Sequence, residues 1–301
     1  MKTTVSFDSA GLELAGNLYV PDDANEPRAA IVVGHPGSGV KEQTAGLYAE
    51  RLAREGFVTL AFDAAFQGES EGEPRGLEDP AHRVEDFKAA VSFLTTRPEV
   101  DADRIGAFGV CASGAYLIAA GAGDHRIKAV ATVSAVDMSR QFRVGADGHQ
   151  DPAVFQGMLD AAAAARTAEA HGEGVGTFPL FPGSEEEARR GGRHLFEGWE
   201  YYCSPRAQHP RSAKTFTWTS VDRMAGFDAF NRIDLIAPRP LLMIVGSEAV
   251  TSWMAKEAFE SAREPKQLQW IEGASHVDLY DKDEYVTPIV AQLGEFYRQN
   301  L

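Results

Sequence analysis

Apolar and polar residues alternate at the start of the chain, and short apolar runs follow. Val5 and Phe7 precede Gly11, and Leu12 and Leu14 follow it, which predicts an antiparallel hairpin. Later apolar runs predict buried strands at residues 29–33, 58–62, 105–108 and 127–133. Helical patterns separate these runs, at residues 45–55, 80–94 and 112–120. The second of these helices has a typical start, Asp79 followed by Pro80.

This alternation stops near residue 138 and resumes near residue 233 with strands at 241–245 and 268–271. The intervening segment has helical patterns only, including a capping box at Ser184 ahead of a helix toward Tyr202. Strands that alternate with helices predict an α/β fold, with a mostly parallel sheet flanked by helices. We therefore expect a core of residues 1–137 and 233–301, and an inserted helical cap of residues 138–232. Such a cap would cover the carboxyl ends of the strands, where ligands bind.

Composition narrows the range of partners. The 301 residues carry a net charge of −15, which argues against nucleic acid and against an anionic membrane surface. No apolar stretch approaches the roughly 18 residues of a membrane span, and the first residues lack the apolar core of a signal peptide. With two cysteines and no metal-binding spacing, we expect a cytoplasmic protein without metal or other cofactor. Homodimer formation is left open.

A cysteine lies at the turn between a predicted strand and a predicted helix. In the run 109–114, Gly109 and Ser113 are the small residues two positions before and after Cys111. This is the layout of a nucleophile elbow. The following helix N-terminus would lower the pKa of the thiol. The alternative is a buried core cysteine, a common environment for a free cysteine. Ser113 is a weaker candidate nucleophile because it lies inside the helix.

Two further elements fit the same chemistry. His276 follows the last predicted strand, where the base of such a site belongs. The loop 35–39 follows an early strand, where backbone N–H groups of Gly37 or Ser38, together with that of Ala112, would form an oxyanion hole. His35 itself is expected to order this loop.

In these features the sequence resembles the α/β-hydrolase superfamily, nearest to the dienelactone-hydrolase-like group that includes YcjY-type proteins and fungal polyketide transferases. The resemblance implies a Cys or Ser nucleophile, a His base, no metal and acyl substrates such as esters, lactones or thioesters. By position it makes Cys111 the nucleophile and His276 the base. The resemblance rests on residues 35–37, 41–44, 63, 67–70, 109–114, 238–242 and 276–280.

The triad acid departs from this family pattern. Relatives often have Asp at the position of Val250, and valine cannot orient an imidazole. Glu248 and Asp137 are the available replacements. Asp137 is preferred because it lies just past a predicted strand end, whereas Asp278 is expected to be a solvated loop carboxylate. A Cys–His dyad without an acid is a further alternative, because a thiol needs less activation than a hydroxyl.

The sequence thus predicts an acyl hydrolase that acts on a small-molecule substrate through a Cys111 acyl-enzyme. The alternatives are an acyltransferase, which moves an acyl group from a thioester to an alcohol or amine, and a binder without catalysis. Cap aromatics are candidates either for an acyl pocket or for the cap's own core: Trp199, Tyr201, Tyr202 and Trp218.

Overall fold

A computed structural model describes residues 1–22 and 26–301 of the protein. These residues form an eight-stranded sheet in the order β1-β2-β4-β3-β5-β6-β9-β10, with helices on both faces. The sheet confirms the predicted α/β fold, because all pairs from β4 to β10 are parallel. Its strands are β1 (Lys2–Ser9), β2 (Leu12–Tyr19), β3 (Arg28–Gly34), β4 (Val58–Phe62), β5 (Val100–Val110), β6 (Ile127–Val133), β9 (Leu241–Gly246) and β10 (Lys266–Ile271).

The predicted hairpin forms one edge of the sheet. β1 and β2 pair antiparallel around the Ala10–Gly11 turn, and β2 pairs antiparallel with β4. Leu14 and Leu18 of β2 are buried, as their alternation with polar residues predicts. Helices on both faces of the sheet bury the central strands β3, β5 and β6, which accounts for their continuous apolar runs.

The helices predicted at residues 45–55, 80–94 and 112–120 are all present, with small changes at their ends. The Asp79 side chain accepts a hydrogen bond from the Ala81 N–H, so α2 begins as predicted. The short helix α10 has no counterpart in the prediction. The helices outside residues 138–232 are α1 (Thr44–Arg54), α2 (Pro80–Thr95), α3 (Ala112–Gly123), α9 (Ser252–Ser261), α10 (Asp278–Asp281) and α11 (Asp283–Asn300).

Residues 138–232 contribute no strand to the eight-stranded sheet. The helix expected from Ser184 to Tyr202 is two helices, because Gly191 and Gly192 interrupt it and Gly192 has φ of 97°. Two three-residue strands that the sequence pattern misses form a separate antiparallel pair. The elements are α4 (Met138–Val144), α5 (Pro152–Ala170), β7 (Thr177–Pro179), α6 (Glu185–Arg190), α7 (Arg193–Cys203), β8 (Thr215–Thr217) and α8 (Thr219–Ala225).

A short 3-10 helix, Ile233–Ile236, leads from this segment into β9. Aromatic side chains from α4, β7 and β8 form a cluster, with Phe178 4.5 Å from Trp218 and 6.4 Å from Phe216 between ring centroids. Throughout the part of the chain that the structure describes, no helix is both long enough and apolar enough to cross a lipid bilayer.

Candidate active site

The turn between β5 and α3 has the backbone geometry of a nucleophile elbow. Cys111 has φ of 56° and ψ of −121°, a conformation that costs a non-glycine residue energy. A Cβ atom at Gly109 would collide with the backbone carbonyl of Ser113, and one at Gly114 would lie 2.9 Å from Ala135 Cβ. The small residues around Cys111 are therefore required by close backbone approach, as the sequence pattern predicts.

The Cys111 thiol is partly exposed and faces a cavity. Burial raises its pKa, although the Tyr280 hydroxyl and the backbone N–H groups of Ala112 and Gly37 act in the opposite direction. The N–H of Ala112 at the helix N-terminus lowers this pKa as predicted, but the cost of desolvating a thiolate is larger, so the net pKa is raised. The thiol is protonated at neutral pH and needs a base to ionise.

The predicted oxyanion loop lies against Cys111. The N–H groups of Gly37 and Ala112 both approach the sulfur, so two of the three predicted donors converge on one point. Ser38 follows with φ of 58°, and its carbonyl accepts a hydrogen bond from the Ser212 hydroxyl at 2.9 Å. The Ser38 side chain is buried on the same cavity wall.

His35 orders this loop from behind. Its Nδ1 lies 2.7 Å from the Pro36 carbonyl, and its Nε2 accepts from the Ala64 N–H at 3.0 Å. Arg83 donates to the His35 carbonyl at 2.9 Å, and the Ser113 hydroxyl donates to the same oxygen. Ser113 is thus buried beneath the loop and engaged there, which excludes it as the nucleophile that faces the cavity.

A buried lysine links the loops that follow β3 and β4. Lys41 Nζ lies 2.7 Å from Asp63 and 2.6 Å from Glu69, and its backbone N–H also donates to Asp63. These residues account for part of the family resemblance, and Glu69 also pairs with Arg211 at 3.2 Å. Their role in the structure is to fix the two loops.

The His276 imidazole is buried beside the elbow and is held at both nitrogens. Thr251 Oγ1 lies 2.6 Å from Nδ1, and the Tyr280 hydroxyl lies 3.0 Å from Nε2. Burial, together with the His194 ring at 5.2 Å between centroids, holds the pKa of His276 well below its ordinary value. The imidazole is therefore neutral at neutral pH, the state that a general base requires.

Neither carboxylate proposed as the triad acid reaches this imidazole. Asp137 caps α4, and its two oxygens accept from the backbone N–H groups of Arg140 at 3.2 Å and Ala229 at 2.9 Å. Glu248 is half exposed and forms an ion pair with Arg193 at 3.0 Å. The hydrogen bonds thus correct the acid assignment: the group that orients His276 Nδ1 is a hydroxyl. Both carboxylates lie at strand ends as expected, but their side chains are engaged elsewhere.

Three residues of the site were not found from the sequence. Thr251 is adjacent to Val250, the position at which relatives often have the acid. Tyr280 belongs to α10, four residues after His276, which lies in the turn before this helix. His194 comes from α7, and no sequence signal connects it to the other two.

The cavity in front of Cys111 has a volume of about 320 Å³ and an apolar wall. Of the four cap aromatics considered, Tyr202 alone lines it, at the end near Cys111. Tyr201 instead accepts a hydrogen bond from the Thr44 N–H at 3.0 Å. Most of the apolar wall comes from Met138, Phe142, Met158, Phe178, Leu180 and Phe216.

No group of three or more His, Cys, Asp or Glu side chains that could hold a metal ion occurs in residues 1–22 and 26–301. The groups gathered at the site are the Cys111 thiol, the His276 imidazole, the hydroxyls of Thr251 and Tyr280, and the backbone N–H groups of Gly37 and Ala112. Groups of these types are suited to acyl-transfer chemistry.

A strained nucleophile elbow, a histidine after the last strand and a donor loop after β3 define an α/β-hydrolase enzyme. The chain belongs to the dienelactone hydrolase family, whose model matches residues 14–170. It is 39% identical to the uncharacterised protein YcjY of Escherichia coli K12 over the full length of both chains. It is also 29% identical to the thiohydrolase aneE of Aspergillus aculeatus, over 88% of this chain and 83% of that protein.

A solved structure supports the same assignment. The crystal structure of the hypothetical protein PA2218 of Pseudomonas aeruginosa matches with a TM-score of 0.93 at 34% identity. The match covers 100% of this chain and 94% of that chain. The similarity therefore extends through the segment 138–232 and is not confined to the sheet.

Proposed function

We propose that the protein hydrolyses small acyl esters, lactones or thioesters through an acyl-enzyme on Cys111, with His276 as the base. One observation carries the proposal: the Gly37 N–H, the Ala112 N–H and the Tyr280 hydroxyl all approach the Cys111 sulfur. The same Tyr280 hydroxyl is 3.0 Å from His276 Nε2. The nucleophile, the base and the oxyanion donors therefore share one location.

The first half-reaction forms the acyl-enzyme. The thiol proton passes to the Tyr280 oxygen while the Tyr280 hydroxyl proton passes to His276 Nε2. The thiolate attacks the acyl carbon, and the N–H groups of Gly37 and Ala112 stabilise the oxyanion. As the intermediate collapses, the bond to the leaving group breaks and the imidazolium returns its proton to that group.

The second half-reaction releases the acid. A water molecule gives a proton to His276 and attacks the thioester carbon. The carbon–sulfur bond then breaks, and the thiolate recovers the proton from the imidazolium. Thr251 would accept a hydrogen bond from Nδ1–H throughout, which keeps Nε2 available as the basic nitrogen.

Acyl transfer is the second candidate, and a neighbouring cavity favours it. A surface cavity of about 670 Å³ shares five lining residues with the acyl cavity: Gln141, Phe142, Met158, His194 and Leu195. An alcohol or amine bound there would be close to the acyl-enzyme. Product analysis with added alcohols and amines separates the two reactions, since transfer yields an ester or amide in place of the free acid.

The test combines turnover with detection of the intermediate. A panel of activated esters, lactones and acyl thioesters should be turned over by the wild type and not by Cys111→Ala. Intact-mass spectrometry after rapid quenching should show one acyl group, mapped to Cys111. Cys203→Ala, which removes the other free cysteine, is the matched control and should retain both activity and adduct. Turnover by Cys111→Ala, or an adduct on Cys203, would overturn the assignment.

We also propose that this reaction takes place in the cytoplasm. Cys111 and Cys203 are both free, and a reducing compartment keeps the Cys111 thiol available. Cell fractionation with a tagged chain tests this location.

A further inference from the structure

One peptide unit of the oxyanion loop, residues 35–39, carries a donor that faces the nucleophile. The Gly37 N–H that approaches the Cys111 sulfur belongs to the same peptide as the Pro36 carbonyl. This peptide is trans and planar, so its N–H and its carbonyl point in opposite directions. A group that fixes the Pro36 carbonyl therefore also fixes the direction of the Gly37 N–H.

Two donors hold the Pro36 carbonyl. His35 Nδ1 lies 2.7 Å from its oxygen, and the Gly39 N–H donates to the same oxygen at 3.1 Å. The contact from Gly39 closes a turn within the loop itself. The contact from His35 connects the loop to the groups packed behind it, because the other nitrogen of the ring bonds to those groups.

The neighbours of the His35 ring determine its tautomer. Nε2 lies 3.0 Å from the Ala64 backbone nitrogen and 3.1 Å from an Nη of Arg83, and both of these groups can only donate. Nε2 must therefore accept, so the ring proton lies on Nδ1 and points at the Pro36 carbonyl. Burial and the charge of Arg83 hold the pKa of His35 well below its ordinary value, so the imidazole stays neutral.

Arg83 anchors this ring from α2. It is 4% exposed, and its Nε lies 3.3 Å from Glu78. Its two Nη atoms face the oxyanion loop, one at the His35 ring and the other 2.9 Å from the His35 carbonyl. The Tyr116 ring lies under the guanidinium, 5.2 Å from its central carbon to the ring centroid. Partners on both edges and on one face leave the guanidinium little freedom to turn.

These contacts run from a positive charge to the place where negative charge develops during acyl transfer. Arg83 donates to the His35 ring, the ring donates to the peptide, and the peptide N–H faces Cys111. Each hydrogen bond polarises the next in the same sense, which strengthens the last donor. Burial raises the pKa of the Cys111 thiol, and the charge of Arg83 is among the influences that lower it. The charge of Arg83 is therefore felt at the site.

We infer that Arg83 is a positioning residue for the oxyanion hole and that it acts through the His35 imidazole. It holds the peptide between residues 36 and 37 so that the Gly37 N–H meets the oxyanion, and its charge strengthens that donor. Arg83 does not line the acyl cavity, so it does not contact the substrate. The inference rests on the proposed function and adds to it the residue that prepares the oxyanion hole.

The tautomer of His35 can be measured on the wild-type protein without any substrate. Long-range proton–nitrogen correlation spectra of histidine-labelled protein distinguish Nδ1–H from Nε2–H, and His35→Gln identifies the signal by its loss. We expect His35 to stay neutral, with its proton on Nδ1, from about pH 5 to about pH 8. An Nε2–H tautomer, or titration of the ring in this range, would overturn the inference whether or not the protein turns over a thioester.

Arg83→Met tests the effect on catalysis, because methionine fills much of the same space without the charge or the donors. It is combined with Glu78→Gln, so that no buried carboxylate is left without its partner. With octanoyl-N-acetylcysteamine we expect kcat to fall about tenfold, less than the roughly 10²–10³ loss on deletion of an oxyanion donor. KM should change by less than about twofold, since ground-state binding is not affected. Arg83→Lys, which keeps the charge and a donor, should recover part of the loss.

Glu78→Gln alone is the control variant. It keeps the guanidinium and its contacts with His35, so kcat should stay within about twofold of the wild type. Thermal unfolding establishes that each variant folds. Unchanged kcat in the double variant would overturn the inference and leave the proposed hydrolysis intact. An equal fall in kcat for Glu78→Gln alone would also overturn it, because the loss would then follow the ion pair and not the contacts with the loop.

A trifluoromethyl ketone separates the orientation of the donor from a general loss of structure. The Cys111 thiolate adds to the carbonyl carbon of heptyl trifluoromethyl ketone, and the carbonyl oxygen becomes an oxyanion that mimics the tetrahedral intermediate. In the double variant we expect its inhibition constant to rise by the same factor by which kcat/KM falls. Alkylation of Cys111 by iodoacetamide forms no oxyanion and should change less. Equal inhibition of the double variant and the wild type would overturn the inference.

Discussion

Thr251 Oγ1 lies 2.6 Å from Nδ1 of His276, where a hydrolytic triad usually places a carboxylate. A hydroxyl can accept the Nδ1 proton and fix the tautomer, but it does not carry the charge that stabilises an imidazolium. Such an arrangement suits a thiol nucleophile, which is more acidic than a serine hydroxyl and needs a weaker base. The pairing of Thr251 with His276 is therefore consistent with cysteine at position 111.

Thr251→Val tests this pairing because valine has the same shape without the hydroxyl. We expect kcat to fall roughly tenfold to a hundredfold, less than the ~10⁴ loss when a serine enzyme's acid is changed to the amide. Thr251→Ser, which restores the hydroxyl, should recover most of the activity. Steady-state kinetics measure both, with thermal unfolding to establish that the variants fold. Full activity in Thr251→Val would show that His276 needs no such partner.

Asp137→Asn is predicted to affect stability more than catalysis. Both Asp137 oxygens accept backbone N–H groups, and an asparagine can accept only one while its NH₂ faces the other donor. We expect a loss of about 1–3 kcal/mol in the free energy of unfolding, the usual cost of a buried donor without a partner. Urea unfolding measures it.

Glu248→Gln is the matched comparison. The ion pair between Glu248 and Arg193 is half exposed, so the substitution should change the free energy of unfolding by less than about 0.5 kcal/mol. Neither variant should move the pH profile of kcat. A sharp fall in kcat for Asp137→Asn at unchanged stability would restore Asp137 as the acid.

The loss of activity at low pH should reflect the pKa of His276. The neutral imidazole is the active form and its pKa is lowered, so activity is present above that lowered pKa and is lost as the pH falls through it. We therefore expect activity to persist below the ordinary histidine pKa of about 6.5. His194 helps to keep the site buried, and burial lowers its own pKa to about 4.

His194→Ala should move this loss of activity to higher pH. Removal of the ring admits water to His276 and removes a positive charge that develops at low pH, and both changes raise the His276 pKa. His194→Gln keeps much of the bulk and should produce a smaller shift. The pH dependence of kcat/KM for the three proteins is the measurement, and an unchanged pH profile in His194→Ala would contradict the prediction.

Because the backbone at Cys111 is strained, we expect glycine to be more stabilising than alanine at this position, the reverse of its usual effect in a helix. At Cys111, with φ of 56°, glycine avoids the Cβ clash, so Cys111→Gly should be about 1 kcal/mol more stable than Cys111→Ala. At Cys203, the last residue of α7, Cys203→Gly should instead be less stable than Cys203→Ala. Denaturant unfolding of the four variants checks both signs. A less stable glycine variant at position 111 would show that the strain is compensated locally.

The sequence alone determined the features that depend on near neighbours. Alternation specified the hairpin of β1 and β2, and apolar runs specified the central strands, because burial on one or two faces leaves a periodic trace. The elbow was equally visible, since the backbone around Cys111 tolerates only small residues two positions away. The Asp79 and Pro80 start of α2 depends on contacts within one helical turn.

Tertiary structure decided everything that depends on distant segments. Thr251, Tyr280 and His194 reach His276 from three different elements, and a linear pattern gives no distance between them. Asp137 and Glu248 lie near strand ends, but only the folded chain shows that two backbone donors and Arg193 hold their carboxylates elsewhere. The direction of the Cys111 pKa shift was likewise undetermined by sequence. A helix N-terminus is a local feature that lowers the pKa, whereas desolvation sums over every segment packed around the thiol, and in this fold desolvation is the larger effect.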